Sequence, residues 1–181
     1  MSCNNKNIPK EVSIPYPLYQ SKQGNYFIGE TPILIGRNGH ALATLSNPID
    51  SNVTIYVNAM TITNISARNI SAEFYVKTNL KRSMISDSVS AANLDYSNIK
   101  PEGEIRYLGL GVSKPKFDIS IFSRIVSPYS TLVVDGSQII LPPGQSILIY
   151  LGGLLPIQLD STIVAFGWWE EMLCNPSPYY C

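Results

Sequence analysis

Hydrophobic and polar residues alternate over long stretches of the chain, as they do in β-strands that bury one face. Residues 53–63, VTIYVNAMTIT, place Val53, Ile55 and Val57 on one side of an extended chain and more polar residues on the other. Residues 70–78, ISAEFYVKT, repeat this alternation. Because successive side chains of a strand point to opposite faces, both stretches predict strands with one apolar and one polar face.

Short apolar runs separated by Gly, Asn and Pro continue the pattern from Tyr26 onward. Residues 116–126, KFDISIFSRIV, change phase partway, as a strand does at a bulge. Residues 132–141, LVVDGSQIIL, predict a hairpin, because Asp135-Gly136 is a turn pair between β-forming flanks. Residues 86–99, SDSVSAANLDYSNI, are interpreted as a long loop that has room for one helical turn.

This spacing gives about nine or ten strands, which is typical of a sandwich or jelly roll. We therefore expect an all-β fold, a single jelly-roll-like β-sandwich formed by residues 26–173. A chain of 181 residues is long enough to bury such a core without disulfide bonds.

Residues 1–25 are predicted to form an extended N-terminal arm. Three prolines between residues 9 and 17 disfavour a helix and favour extended backbone. Apolar residues at a spacing of two would give the arm one docking face. These arm-docking residues are Ile14, Tyr16 and Leu18. The arm either crosses onto a neighbouring molecule or wraps its own domain, and the residues leave both alternatives open.

The charge balance narrows the class of partner. Thirteen basic and thirteen acidic residues cancel, and charged residues make up only 14% of the chain, against about 25% in an average domain. Proteins that bind nucleic acid show a basic excess, so no nucleic-acid partner is expected. A surface with few charges does little to oppose self-association, so the expected partners are copies of the same chain.

Export and membrane segments are not predicted. The first 19 residues contain no continuous apolar stretch and are broken by three prolines, unlike a secretory signal. The apolar segment ILPPGQSILIYLGGLLPIQL is interrupted by PPG and GG, so it does not resemble a membrane span. We expect synthesis in the cytoplasm without a signal peptide and no membrane insertion.

The sequence contains few candidate catalytic residues. His40 is the only histidine and lies beside the turn pair Asn38-Gly39, with no nucleophile motif. Glu170 and Glu171 are adjacent on a predicted strand, so their carboxylates point to opposite faces and do not form a hydrolytic pair. The aspartates are scattered, mostly at predicted turns, unlike the clustered ligands of a metal site. We expect no enzyme activity, no cofactor and no metal ion.

The aromatic residues support an alternative function. Trp168 and Trp169 are adjacent on a predicted strand, so one of them should face outward. An outward ring would either stack on a sugar or cover a sheet edge or an interface between subunits. Tyr179 and Tyr180 follow in the tail and are interpreted as docking residues. The alternative function is therefore a monomeric, lectin-like carbohydrate-binding module.

All three cysteines lie outside the predicted strands. Cys3 is in the arm, whereas Cys174 and Cys181 bound a tail, residues 174–181, of sequence CNPSPYYC. An odd number of thiols cannot pair completely within one chain, which suggests an intermolecular disulfide. Either Cys174–Cys181 closes a local loop, or Cys3 of one copy meets Cys174 or Cys181 of the next. A head-to-tail contact that does not close into a ring generates a fibre.

Three segments carry a resemblance to a known family. SIPYPLYQSKQGNYFIGETPIL, SNVTIYVNAMTITN and AFGWWEE resemble an uncharacterised domain family of spore-forming Bacillota, over most of residues 12–172. The layout is also similar to that of endospore appendage subunits, which are jelly rolls with a cysteine-bearing N-terminal connector. In this chain the arm carries one cysteine instead of a cluster, and the C-terminal cysteine tail is not part of the appendage pattern.

These resemblances imply a structural function. They imply a self-assembling subunit of a disulfide-stabilised extracellular fibre or spore-surface layer, with copies of itself and other spore-surface proteins as partners. Spore-surface proteins are made in the mother-cell cytoplasm and are exposed when that cell lyses. Oxidation after lysis would reconcile disulfides with cytosolic synthesis, because the cytosol keeps thiols reduced.

Overall fold

The computed structural model describes residues 13–36, 40–76, 83–109, 119–155 and 161–173. A short helix, α1 (Tyr16–Lys22), precedes the first strand. Within the described ranges the strands are β1 (Tyr26–Glu30), β2 (Ala41–Ser46), β3 (Val53–Asn64), β4 (Ile70–Val76), β5 (Met84–Ile85), β6 (Val89–Ala91), β7 (Glu104–Leu108), β8 (Ile119–Val126), β9 (Ser130–Leu141), β10 (Ser146–Leu151) and β11 (Thr162–Met172). A 3-10 turn, Leu94–Tyr96, lies between β6 and β7.

The strands form two antiparallel sheets that pack against each other. Sheet A has the order β6-β1-β11-β3-β9, and sheet B has the order β5-β7-β2-β10-β4-β8. The chain passes from one sheet to the other at most of its connections, which is the connectivity of a jelly-roll-like sandwich. The predicted all-β sandwich is therefore confirmed.

The core lies between the sheets and follows the alternation of the sequence. Val53, Ile55 and Val57 of β3 are buried, whereas the intervening residues are partly exposed, as predicted. Sheet B contributes its own alternate residues to the same cluster. The largest fully buried side chains of the described core are Trp168, Phe74, Leu45, Ile55, Met60, Ile62, Ile105, Ile147, Ile149 and Leu151.

Part of the outer face of sheet B is also apolar and buried, which the sequence did not predict. Leu42, Tyr75, Leu148 and Tyr150 alternate with core residues, yet they are buried and form a second cluster, with Leu108 packed against it. In β4 only Val76 is not fully buried, so the predicted exposed polar face of this strand is wrong. The alternation of residues 70–78 indicated the strand correctly but not its exposure, because a strand inside a sheet can be covered on both faces.

Two irregularities in the strands bear on the predictions. The predicted phase change in residues 116–126 is confirmed as a bulge, because Phe74 pairs with Phe122 and Tyr75 with Ser120, leaving Ile121 as the extra residue. The hairpin predicted at residues 132–141 is wrong, because both flanks of Asp135-Gly136 pair with β3 in a continuous β9. Gly136 lies against Val57, and a Cβ at this glycine would be 2.7 Å from Cγ1 of Val57.

The segment predicted as a loop, residues 86–99, contains the short strand β6, which pairs with β1. Three residues of strand are too few to show a period, so the sequence alone did not reveal β6.

The extended arm predicted for residues 1–25 is wrong over residues 16–22, which form α1. Pro15 and Pro17 do not prevent this helix, because they lie at its first positions, where backbone N–H groups have no intrahelical acceptor. Ile14 precedes the helix and is partly buried. The earlier part of the arm, residues 1–12, and the tail, residues 174–181, lie outside the described residues.

Candidate functional site

Helix α1 lies on the outer face of sheet A, over the C-terminal end of β11. There Trp169 stacks on Tyr56 of β3, with ring centroids 5.2 Å apart and an angle of 2° between the rings. The ring of Tyr16 meets Trp169 edge-on at 5.9 Å. Trp169 is thus enclosed between the helix and the sheet and is only 7% exposed. The aromatic contacts fix the helix to its own domain.

Glu171 connects the helix to the strand through hydrogen bonds. Its Oε1 accepts from the Tyr16 hydroxyl at 2.9 Å, from Gln20 Nε2 at 3.1 Å and from Trp169 Nε1 at 3.1 Å. The hydrogen bond to Glu171 raises the pKa of Tyr16, and burial, followed by the charge of Glu171, raises the pKa of Tyr56. The carboxylate therefore favours the neutral form of both phenols.

Glu170 performs the corresponding function on the inner face. One carboxylate oxygen accepts from Trp168 Nε1 at 3.0 Å and from the backbone N–H of Gly103 at 2.8 Å, and the other accepts from the N–H of Glu102 at 3.0 Å. Burial raises the pKa of Glu170, and these donors oppose that effect only in part. The loop before β7 is thereby tied to β11.

The structure places Trp168 and Trp169 away from solvent. Trp168 is fully buried, and Trp169 lies on the opposite, outer face of the sheet, as expected for adjacent strand residues, but α1 covers it and leaves it only 7% exposed. Among the described residues neither indole is exposed enough for a sugar to stack on it, so Trp168 and Trp169 give the lectin-like alternative no support. Among the arm residues, Tyr16 docks on its own sheet, and Leu18 is on the same helix with about half its surface exposed.

The remaining predicted site residues, Cys3, Cys174, Cys181, Tyr179 and Tyr180, lie outside the described residues. Described residues that are close to these segments in the sequence lie near each other. The Tyr16 hydroxyl bonds to Glu171, and Leu173, the residue before Cys174, donates its N–H to the carbonyl of Asn52. Tyr16 and Leu173 therefore lie at the same end of sheet A, which we call the Met172 end.

The edges of the two sheets differ in length. On one side of the described sandwich the edge strands are β5 and β6, with two and three residues. On the other side they are β8 and β9, with eight and twelve residues. Three isoleucines of β8 remain 41–52% exposed: Ile119, Ile121 and Ile125. Sequence reasoning missed this feature, because only the strand order reveals which strand lies at an edge.

A shallow groove of about 680 Å³ lies on the outer face of sheet A. Its floor includes Ala59, Ala165 and Gly167, and its walls include Tyr26 and Ile28. It was also missed, because its residues come from strands that are far apart in the sequence.

Few groups suited to catalysis come together in the described residues. His40 stacks on Tyr150 at 5.3 Å, apart from the network around Glu171. No three His, Cys, Asp or Glu side chains within the described ranges are grouped as metal ligands. No helix in those ranges is long and apolar enough to cross a membrane.

The fold is a β-sandwich domain with an N-terminal helix packed on the outer face of one sheet. A family model described as a family of unknown function (DUF6143) matches residues 2–175, and the chain belongs to this family. No curated protein and no solved structure gives a match.

Replacing Tyr16 by alanine should uncover Trp169. The substitution removes both the edge-on ring and one of the helix's hydrogen bonds to Glu171, so we expect Trp169 to become accessible to solvent. Tryptophan emission should shift to the red and acrylamide quenching should increase, with buried Trp168 as the constant background. Tyr129→Ala, at an exposed tyrosine far from α1 in sequence, is the control. Unchanged quenching would mean that α1 is held without Tyr16.

Glu170 should make the protein less stable as the pH rises. Its pKa is raised in the folded state, so the folded protein binds the proton more tightly than the unfolded chain does. Its contribution to stability is therefore lost as the pH rises from its ordinary pKa of 4.5 through the raised value. Urea unfolding across this range should show the free-energy difference between wild type and Glu170→Gln falling with pH. Asp50→Asn, at an exposed carboxylate, provides the baseline, and a flat difference would contradict the argument.

Proposed function

We propose that the protein is a self-assembling structural subunit of a disulfide-stabilised extracellular fibre or spore-surface layer. The observation that carries the proposal is the edge strand β8, which is eight residues long and retains three exposed isoleucines. A strand at a sheet edge has backbone N–H and C=O groups without a partner strand on one side, and natural proteins usually shorten, charge or cover such edges.

The edge strands on the other side of the sandwich are shortened in this way, unlike β8. Strands β5 and β6 offer two and three residues, which is too few to hold a partner strand. Over its whole length β8 has a single charged residue, Arg124, whose guanidinium lies over the ring of Phe122 at 4.8 Å. Little charge therefore opposes the addition of a strand at β8, and β-augmentation by a second copy supplies backbone hydrogen bonds and buries the isoleucines.

The lengths of the edges also limit how copies pair. Because β5 and β6 are short, the partner strand comes from a long edge of another copy, β8 or β9. We take β8 with β8, which pairs in an antiparallel and two-fold manner. A two-fold contact is closed, so it yields a dimer and does not by itself extend a fibre. Propagation then requires a second contact, and the cysteine-bearing arm and tail supply it in this proposal.

The proposed setting explains the oxidation. A protein made in the mother-cell cytoplasm keeps its thiols reduced, and lysis of that cell exposes the assembly to air. Disulfides through Cys3, Cys174 and Cys181 would then join copies that are already in contact, with other spore-surface proteins as further candidate partners.

A charge on the β8 edge should prevent assembly. We expect Ile121→Lys to raise the concentration needed for association about tenfold or more, because pairing would bury an unpaired ammonium group. Sedimentation velocity under reducing conditions measures the association directly. Ile49→Lys is the matched control, since Ile49 is 80% exposed and lies outside the strands. Equal association of both variants would overturn the role of β8, and a wild type that stays monomeric would overturn the proposed function.

Removal of the arm thiol should weaken the polymer without affecting the fold. Cys3→Ser should keep the wild-type unfolding midpoint but lose the species that survive hot denaturant in the absence of reductant. Electrophoresis with and without reductant, beside negative-stain electron microscopy, makes the comparison. If Cys3→Ser polymers resist denaturant as well as wild-type polymers do, the arm does not carry the covalent joint.

A further inference from the structure

The groove on the outer face of sheet A has a floor of unusually small side chains. Ala59, Ala165 and Gly167 lie side by side on β3 and β11, between Tyr26 and Thr61. Tyr26 is held in place because its hydroxyl accepts a hydrogen bond from Asn58 Nδ2 at 2.9 Å. A Cβ at Gly167 would lie 2.6 Å from the same hydroxyl, so the glycine makes room for this tyrosine. The groove therefore has a fixed wall and a flat apolar floor.

One end of the groove is acidic. Among the described residues that line it, only Glu30 and Asp87 are charged. Both lie at the end away from α1, since Glu30 pairs with Ala165 and donates its backbone N–H to the carbonyl of Ser88. Neither carboxylate forms an ion pair with a described residue. The groove thus fits an extended segment whose apolar residues rest on the floor and whose cation lies near these two carboxylates.

We propose that residues 6–9 of this chain's own N-terminal segment, KNIP, occupy the groove, with Ile8 and Pro9 on the floor and Lys6 beside Glu30 and Asp87. Lys6 matches the acidic end of the groove in charge, and Ile8 and Pro9 match its apolar floor. The C-terminal tail, residues 174–181, contains no lysine or arginine, so it does not supply a cation for the acidic end of the groove.

The topology favours the N-terminal segment over the two internal lysine-bearing stretches outside the described residues. Residues 77–82 join β4 to β5, and residues 110–118 join β7 to β8. All four of these strands belong to sheet B, on the other side of the core. The N-terminal segment instead enters the domain at α1, on the face of sheet A that carries the groove.

The segment is long enough for this path. Lys6 precedes Tyr16 by ten residues, which reach at most about 35 Å when extended. From Glu171, which contacts Tyr16, to Ala165, which pairs with Glu30, β11 rises by about 20 Å. Because the segment is attached beside the groove, its effective concentration there is on the order of millimolar, so even a weak match keeps it docked.

Docking would carry Cys3 away from the Met172 end. With Lys6 near Glu30, Cys3 lies toward the start of β11, whereas Cys174 follows its end. The two thiols would then be at opposite ends of the sandwich, as a head-to-tail joint requires. This consequence rests on the proposed function, but the docking itself does not.

Trypsin cleavage after Lys10 tests the docking in the full-length protein under reducing conditions. We expect Ala165→Trp, which fills the groove, to be cleaved about tenfold faster than wild type, because a docked segment resists the protease. Thr63→Trp, on the same face of β3 but outside the groove, should be cleaved at the wild-type rate. Equal rates for wild type and Ala165→Trp, with equal unfolding midpoints, would overturn the proposal.

Exchanging the charges of residues 6 and 30 provides a second test, which does not depend on filling the groove. Glu30→Lys should speed the cleavage, and the double variant Lys6→Glu with Glu30→Lys should restore the slow wild-type rate. If the double variant is cleaved as fast as the single one, Lys6 does not pair with Glu30.

Protein concentration distinguishes the source of the segment. Docking within one chain gives a rate that does not depend on concentration, whereas protection that grows with concentration would show a second copy's segment and overturn the proposal. Association of the same samples is scored by sedimentation, so a failure to assemble counts against the proposed function alone.

Discussion

Two adjacent tryptophans, each hydrogen-bonded to the glutamate two residues later, hold together the end of the molecule on which the other features depend. Because neighbouring side chains of a strand point to opposite faces, Trp168 and Glu170 lie inside the sandwich and Trp169 and Glu171 outside. A buried indole N–H needs an acceptor, and each carboxylate has capacity left for further donors. The inner carboxylate binds a loop and the outer one binds α1.

This double anchor determines where the ends of the described chain lie. It fixes α1 beside the last residues of β11, so the helix and the end of the last strand lie together. It also keeps Trp169 covered, whereas the described residues leave two other surfaces open, the β8 edge and the groove on sheet A. These surfaces are separate, since one belongs to sheet B and the other to sheet A.

The sequence predictions were accurate for features that depend on neighbouring residues and inaccurate for features that depend on contacts between distant strands. The alternation of β3 and the bulge in β8 were predicted correctly, because side-chain period is a local property. The turn pair Asp135-Gly136 was misread, because a flexible glycine serves a bulge as readily as a turn, and the choice depends on which strand its flanks meet. The prolines near α1 were misread in a similar way, since proline is excluded from a helix interior but not from its first turn.

By itself, the sequence determined the class of fold and the opposite placement of the paired glutamates, because composition and a period of two suffice for both. Only the tertiary structure decided which strands are edges, what covers Trp169 and which small residues line the groove. Those features arise from strands that are distant in the chain and meet through hydrogen bonding and burial of apolar surface. No local pattern encodes such a meeting, since it is the packing of the two sheets as a whole that selects it.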